Sequence, residues 1–204
     1  MTQKRMVMPL VLCLTAASVA ASSAPNRSRL QGTSSPNWLD GPLSGWNEPG
    51  SVTPKPPRSD DSRENVMRRC QLTLLGSTAG ERALATAGWI PFHNFDQQLL
   101  GDGVEIVGGM AGSDGMCRPT SYNLFVFVGD RFAGVLSPVL MSSRLDASSG
   151  AVRISTGDTI TAEFSRYTST DALCCPSSHV TVRYKIDRSG TQPVVVPIER
   201  RVRP

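Results

Sequence analysis

The chain has 204 residues, with 21 Lys and Arg against 17 Asp and Glu, for a formal net charge of +4. Hydrophobic residues make up 39% and aromatic residues only 6%, enough for one modest core rather than several. No Lys/Arg stripe interleaves with aromatic residues, so a nucleic-acid partner is excluded by the pattern of charge.

Lys4 and Arg5 give the chain a basic start, and Met6 to Ala21 follows without a charge. The run ends in small residues (Ala16, Ala17, Ser18, Val19, Ala20, Ala21). This order predicts a secretory signal peptide over residues 1–21, cleaved after Ala20 or Ala21. A bilayer-spanning helix needs roughly 20 apolar residues, so this run is too short and no transmembrane helix remains after cleavage. Cys13 follows Leu10-Val11-Leu12 and lacks the small residue that precedes a lipid-acceptor cysteine; it reads as an apolar residue of the cleaved peptide. Loss of Lys4 and Arg5 leaves 19 basic and 17 acidic residues, a net charge of +2.

Four cysteines then remain: Cys70, Cys117, Cys174 and Cys175. An even number in an oxidising compartment predicts a disulfide framework with three possible pairings. Joining Cys174 to Cys175 closes a strained ring across one peptide bond, so the expectation is that each bridges to a distant partner, Cys70 or Cys117. Long closed loops of that kind contribute about 3–5 kcal/mol each. A metal site is not expected, because neither C-x-x-C spacing nor companion histidines occur.

Residues 22–61 carry Pro25, Pro36, Pro42, Pro49, Pro54, Pro56 and Pro57 among Ser and Gly, and read as a disordered linker. Trp38 and Trp46 stand out in it as residues that dock on the domain or on a partner. The sequon Asn26-Arg27-Ser28 has meaning only in a glycosylating host. Asp61 and Glu64 suggest a capping box opening a short helical turn toward Cys70, followed by a short strand at Gln71 to Leu75. Ser77 or Thr78 is placed to cap a helix from Ala79 to Ala87 that Gly88 stops; this is the one convincing helix.

Strands account for the rest. Val104 to Val107 precedes the glycine-rich stretch Gly108 to Gly112, read as turn and bulge glycines. Tyr122 to Val128 is apolar on both faces and predicts a central strand covered on each side. Gly129-Asp130 then turns into Arg131 to Leu136 as a hairpin. Val152/Ile154, Ile160/Ala162/Phe164 and Val180/Val182/Tyr184/Ile186 alternate with polar residues, giving strands with one wet face. Val194 to Ile198 reads as an edge strand limited by Pro193 and Pro197, and 199–204 as a basic tail with Arg200, Arg201 and Arg203. The predicted fold is α+β: residues 62–198 form a small antiparallel β-sheet domain with one short helix, stapled by disulfides.

Catalytic motifs are sparse. Gly101-Asp102-Gly103 leads to Ile106 where a dinucleotide fingerprint needs glycine, and no helix follows to face a phosphate. His179 starts a strand on its wet face. His93 lies in a loop with Asp96 three residues on, but no Gly-x-Ser-x-Gly elbow accompanies it, and oxidised thiols do no nucleophilic chemistry. Asp96, Asp102, Glu105 and Asp114 are close in sequence and read as turn carboxylates, since the D-x-D-x-D-G spacing of a calcium loop is absent. No catalytic residue, metal or cofactor is therefore assigned. The alternative is an exported hydrolase using His93 and these carboxylates.

One ordered series is more specific. Tyr122-x-Leu124-Phe125-Val126-Phe127 leads into Gly129-x-Arg131-Phe132-Ala133-Gly134-x-Leu136-Ser137-Pro138, then Met141, Arg144 and Asp146. Arg166-Tyr167, Asp171-x-Leu173-Cys174-Cys175-Pro176-Ser177 and Val182-x-Tyr184 follow. The series, over residues 85–188, resembles the LppP/LprE family of exported, often lipid-anchored bacterial proteins, with Cys-Cys-Pro-Ser its most distinctive part. The resemblance implies a bacterial origin and a cell-envelope or secreted location, and brings no catalytic residues. Arg144 and Asp146, which it singles out, are expected to pair with each other. The expected function is that of a non-catalytic binding or structural module for an envelope partner, a glycan or a lipid.

Overall fold

The computed structural model describes residues 37–73, 76–93, 99–101 (strand backbone alone), 103–155 and 158–203. The expected signal peptide, Cys13, the sequon, Asp96 and Asp102 lie outside them. Helix α1 (Arg63–Arg69) starts at Ser62, whose hydroxyl accepts from the Asn65 N–H, so the cap is one residue later than Asp61. Asp61 serves the same helix from outside, through an ion pair with Arg69. Helix α2 (Ala79–Ala87) has the expected Thr78 cap, a complete capping box with Glu81, and Gly88 at φ 105° as its left-handed stop. No strand forms at Gln71 to Thr73, and residues 74–75 lie outside the described set.

Two antiparallel sheets follow. The first is built from β1 (Ile90–Phe92), β2 (Leu99–Gly101), β3 (Val104–Ser113), β4 (Pro119–Val128) and β5 (Arg131–Val135), with β1 and β2 end to end along one edge of β3. The second is a meander of β6 (Ser149–Ile154), β7 (Thr159–Arg166), β8 (Ser178–Asp187) and β9 (Val194–Arg203). The α+β expectation thus fits only roughly: this is a mostly β architecture of two facing sheets with two short helices. The second sheet escaped notice because strand alternation marks a wet face without saying which strands share a sheet.

Strand β4 shows the layering. Tyr122, Leu124 and Val126 point into the core between the sheets, with Ile160, Phe164, Val180 and Tyr184 from the other side. Phe125 and Phe127 point the opposite way, under α2, where they join Leu84, Trp89 and Val107. The glycine-rich stretch is part of β3 rather than a turn. An added Cβ at Gly108 would lie 2.6 Å from the Phe92 ring, so the missing side chain is the space that ring occupies.

The expected linker needs correcting over residues 37–61. This segment has no helix or strand, yet it straps the body. Leu39 is fully buried, and Trp38 packs edge-on against Phe164 and Trp46 at centroid distances of 5.0 and 5.3 Å. The Asn47 side chain accepts from the Val135 N–H and donates to the carbonyls of Val135 and Val195, lacing β5 to the start of β9. Trp89 Nε1 donates to the Pro54 carbonyl at 2.7 Å, carrying the strap onto the α2 face. Proline prevents a strand but not docking, because the contacts come from side chains. The basic tail is corrected as well: β9 pairs with β8 as far as Arg203, so residues 199–203 belong to the sheet.

Candidate functional site

The polar cluster at the start of α2 is the place to look for chemistry. Glu81 is almost wholly buried, with 1% side-chain exposure, and its Oε1 lies 2.7 Å from His93 Nε2. Its Oε2 accepts from the Ser77 N–H and hydroxyl at 2.8 and 2.9 Å and from the Thr78 N–H at 3.3 Å. Beside it Glu105, also buried, accepts from the Thr78 hydroxyl and from the Gly80 N–H. Burial pushes the Glu81 carboxyl up, but the bonds from His93, Ser77 and Thr78 together outweigh it and hold the group below its ordinary value.

Both carboxylates occupy the positive end of the helix dipole and satisfy N–H groups that α2 leaves open. Glu105 holds the start of α2 to β3, while Glu81 caps its own helix through Oε2 and meets His93 through Oε1. The contacts of the cluster thus anchor the start of α2. Of the residues singled out from the sequence, His93 and Glu105 belong here. Asp114 does not: it sits in the β3–β4 turn, six residues beyond Gly108, the partner of Phe92, or about 20 Å along the strand. There it accepts from the Met116 and Arg118 N–H groups and pairs with the Arg118 side chain. Glu81 was missed as a partner of His93, although its place in the Thr-x-x-Glu capping box marks it as a residue aimed back at the helix start.

A second cluster gathers residues of the Cys-Cys-Pro-Ser segment. Asp146 Oδ1 accepts from Arg166 Nε and the Tyr167 N–H, both at 2.9 Å, and its Oδ2 from the Asn37 amide. Arg166 also forks onto both oxygens of Asp40 in the strap. The partner of Asp146 is thus Arg166, not Arg144; Arg144 sits at φ 63° in the connecting loop, with no ion pair among the described residues. Asp171 organises the loop that follows: the Ser177 hydroxyl, then the Thr168 N–H and hydroxyl, hold its carboxyl far below the usual carboxylate range. The Tyr167 hydroxyl closes the loop on the Leu173 carbonyl at 3.1 Å.

The cysteine pairing differs from expectation. Cys70 bonds to Cys117, with Cα atoms 5.5 Å apart, and Cys174 bonds to its neighbour Cys175. The reason is spatial. Helix α1 delivers Cys70 to the β3–β4 turn, where Cys117 waits, while Cys174 and Cys175 are exposed in the β7–β8 loop and meet only each other. His179 is more than one-third exposed, as expected, and lies 3.3 Å from Glu163.

Comparison with known proteins decides the resemblance. Residues 105–189 match the LppP/LprE lipoprotein family. The match spans β3 to β8, with Asp146, Asp171 and the Cys174–Cys175 loop inside it and the strap, both helices and His93 outside. It associates the sheet-forming part of the chain with lipoproteins exported to the cell envelope. No curated protein and no solved structure matches the chain.

Proposed function

We propose that this is an exported cell-envelope protein, periplasmic or secreted, whose folded body is a non-catalytic binding or structural module for an envelope component. One observation carries the reading. The His93 cluster, which the hydrolase alternative requires, spends its carboxylate oxygens on helix capping, on fixing α2 to β3 and, for Glu81 Oε1, on His93 itself. A general base needs a reachable proton and room for a substrate, and Glu81, the partner of His93, is almost wholly buried with its second oxygen held by Ser77 and Thr78. The family match supports the location. Among the described residues, no helix is long and apolar enough to cross a membrane, and no three His, Cys, Asp or Glu side chains gather as a metal site.

The test has two arms. Purified exported chain is used to capture components from envelope extract, and the same material is assayed against ester, amide, glycoside and phosphoester substrates. The reading expects saturable capture and no turnover. Turnover that disappears in His93→Ala, with the variant still folded, would replace it with the hydrolase.

A further inference from the structure

The outward face of the second sheet carries the protein's excess positive charge. Leaving out Lys4, Arg5, Arg27, Arg29, Asp96 and Asp102, the described residues hold 17 basic and 15 acidic groups, a net of +2. Five of the basic groups project from this one face: Arg153 on β6, Arg183 and Lys185 on β8, and Arg201 and Arg203 on β9. Three carboxylates, Glu163, Asp187 and Glu199, accompany them, so the face has a net charge of +2 and the remainder of the body is neutral.

The alternation that buries Val152, Ala162, Val182 and Tyr184 sends these groups outward together. Glu199 is shared by Arg183 and Arg201, and Glu163 faces His179. Arg153, Lys185 and Arg203 make no ion pair among the described residues, although Lys185 stands beside Asp187 on β8. Threonines fill the spaces between the charges, in shallow grooves lined by Thr161 and Thr181.

We infer that this sheet face docks on an anionic lipid surface. The inference deepens the binding-module reading by naming the partner, and it rests on that reading. Four strands spread the cations about 14 Å across the sheet, and six residues of β8 spread them about 20 Å along it. Charges distributed in two dimensions over a sheet face match an array of lipid phosphates better than one linear polyanion. No aromatic side chain stands on this face to stack on a sugar ring or a base, because the aromatic residues of these strands, Phe164 and Tyr184, point into the core. Each cation near an anionic membrane strengthens binding about fivefold, screened by salt.

The experiment is cosedimentation of the exported chain with phosphatidylcholine vesicles, with and without phosphatidylglycerol. Binding is expected only to the anionic vesicles and falls as salt rises from low to high concentration. The triple substitution Arg153→Gln, Lys185→Gln, Arg203→Gln removes three exposed charges and is expected to weaken binding roughly a hundredfold. Circular dichroism and melting show whether the variant is folded; should it not be, the single Lys185→Gln serves, with a roughly fivefold loss. Equal binding to zwitterionic vesicles, or undiminished binding by a folded variant, overturns the inference. Binding to soluble polyanions without binding to vesicles also overturns it while leaving the module reading intact. Failure of vesicles and of envelope capture together removes both.

Discussion

His93 Nε2 lies 2.7 Å from Glu81 Oε1, and Glu81 is the same residue that closes the capping box of α2. The pair is therefore tied to the stability of the helix start. Glu81→Ala strips the Ser77 and Thr78 N–H groups of their buried acceptor and is expected to cost about 2–3 kcal/mol. For a domain of this size that lowers the melting temperature by roughly 5–10 °C. His93→Ala leaves the capping box in place and is expected to cost less than half as much. Thermal denaturation of the two variants orders them, and the reverse order would mean that His93, not the cap, is the centre of the cluster.

Asn47 ties the strap to both sheets, and Gly134 makes room for it. An added Cβ at Gly134 falls within 3 Å of the Asn47 amide atoms, at a φ of +135° that side chains rarely adopt. Asn47→Ala leaves the edge N–H of Val135 without its acceptor and is expected to cost about 1–3 kcal/mol. Gly134→Ala suffers both the collision and the backbone strain. In the double variant the collision is gone, so the combined loss is smaller than the two single losses added. A double-mutant cycle by denaturant unfolding measures the difference. Strict additivity would show that Asn47 does not sit where the strap places it.

Much of this body was legible in the sequence, because local rules governed it. The α2 cap and stop follow from Thr78, Glu81 and Gly88, and the double-sided burial of β4 follows from its unbroken apolar run. What escaped depends on long-range geometry. Nothing near Trp38 says that it lies against Phe164, 126 residues on, and nothing near Asp146 distinguishes Arg144 from Arg166. Proline spacing in residues 37–61 correctly excludes regular structure but is silent on docking, since Asn47 and the tryptophans engage through side chains. The glycines of β3 follow the same rule: the Phe92 ring beside Gly108 and the Phe125 ring beside Gly109 come from other strands.

The two disulfides differ in what they restrain. Cys70 and Cys117 are separated by 47 positions, and loop closure of that length is expected to contribute about 4 kcal/mol by restricting the unfolded chain. Cys174 and Cys175 are adjacent, so their bond closes no loop of consequence. Paired serine substitution at Cys70 and Cys117 is therefore expected to lower stability severely, and at Cys174 and Cys175 by less than about 1 kcal/mol. Melting curves give the contrast. Peptide mapping gives the connectivity, since the adjacent pair shows as a two-proton mass deficit within one peptide. A crosslink between a Cys70 peptide and a Cys174–Cys175 peptide would contradict this pairing.

Acid is expected to release the Cys-Cys-Pro-Ser loop through Asp171. The Ser177 hydroxyl and the Thr168 N–H and hydroxyl bond its charged form and hold its carboxyl far below the ordinary value. A carboxyl depressed in the folded state contributes order that is present above its ordinary value near pH 4 and is lost as pH falls toward the folded value. Loop protection is thus constant through neutral and mildly acidic pH and declines only in strong acid. Asp171→Asn removes the charge at every pH and should give at pH 7 the loosening that acid gives the parent protein. Hydrogen exchange of residues 168–177 reads this directly, and the exposed position of the loop means that the melting temperature of the body moves little. Protection unchanged in Asp171→Asn would mean that the loop is held by the Tyr167–Leu173 bond instead, and Tyr167→Phe would then produce the loosening.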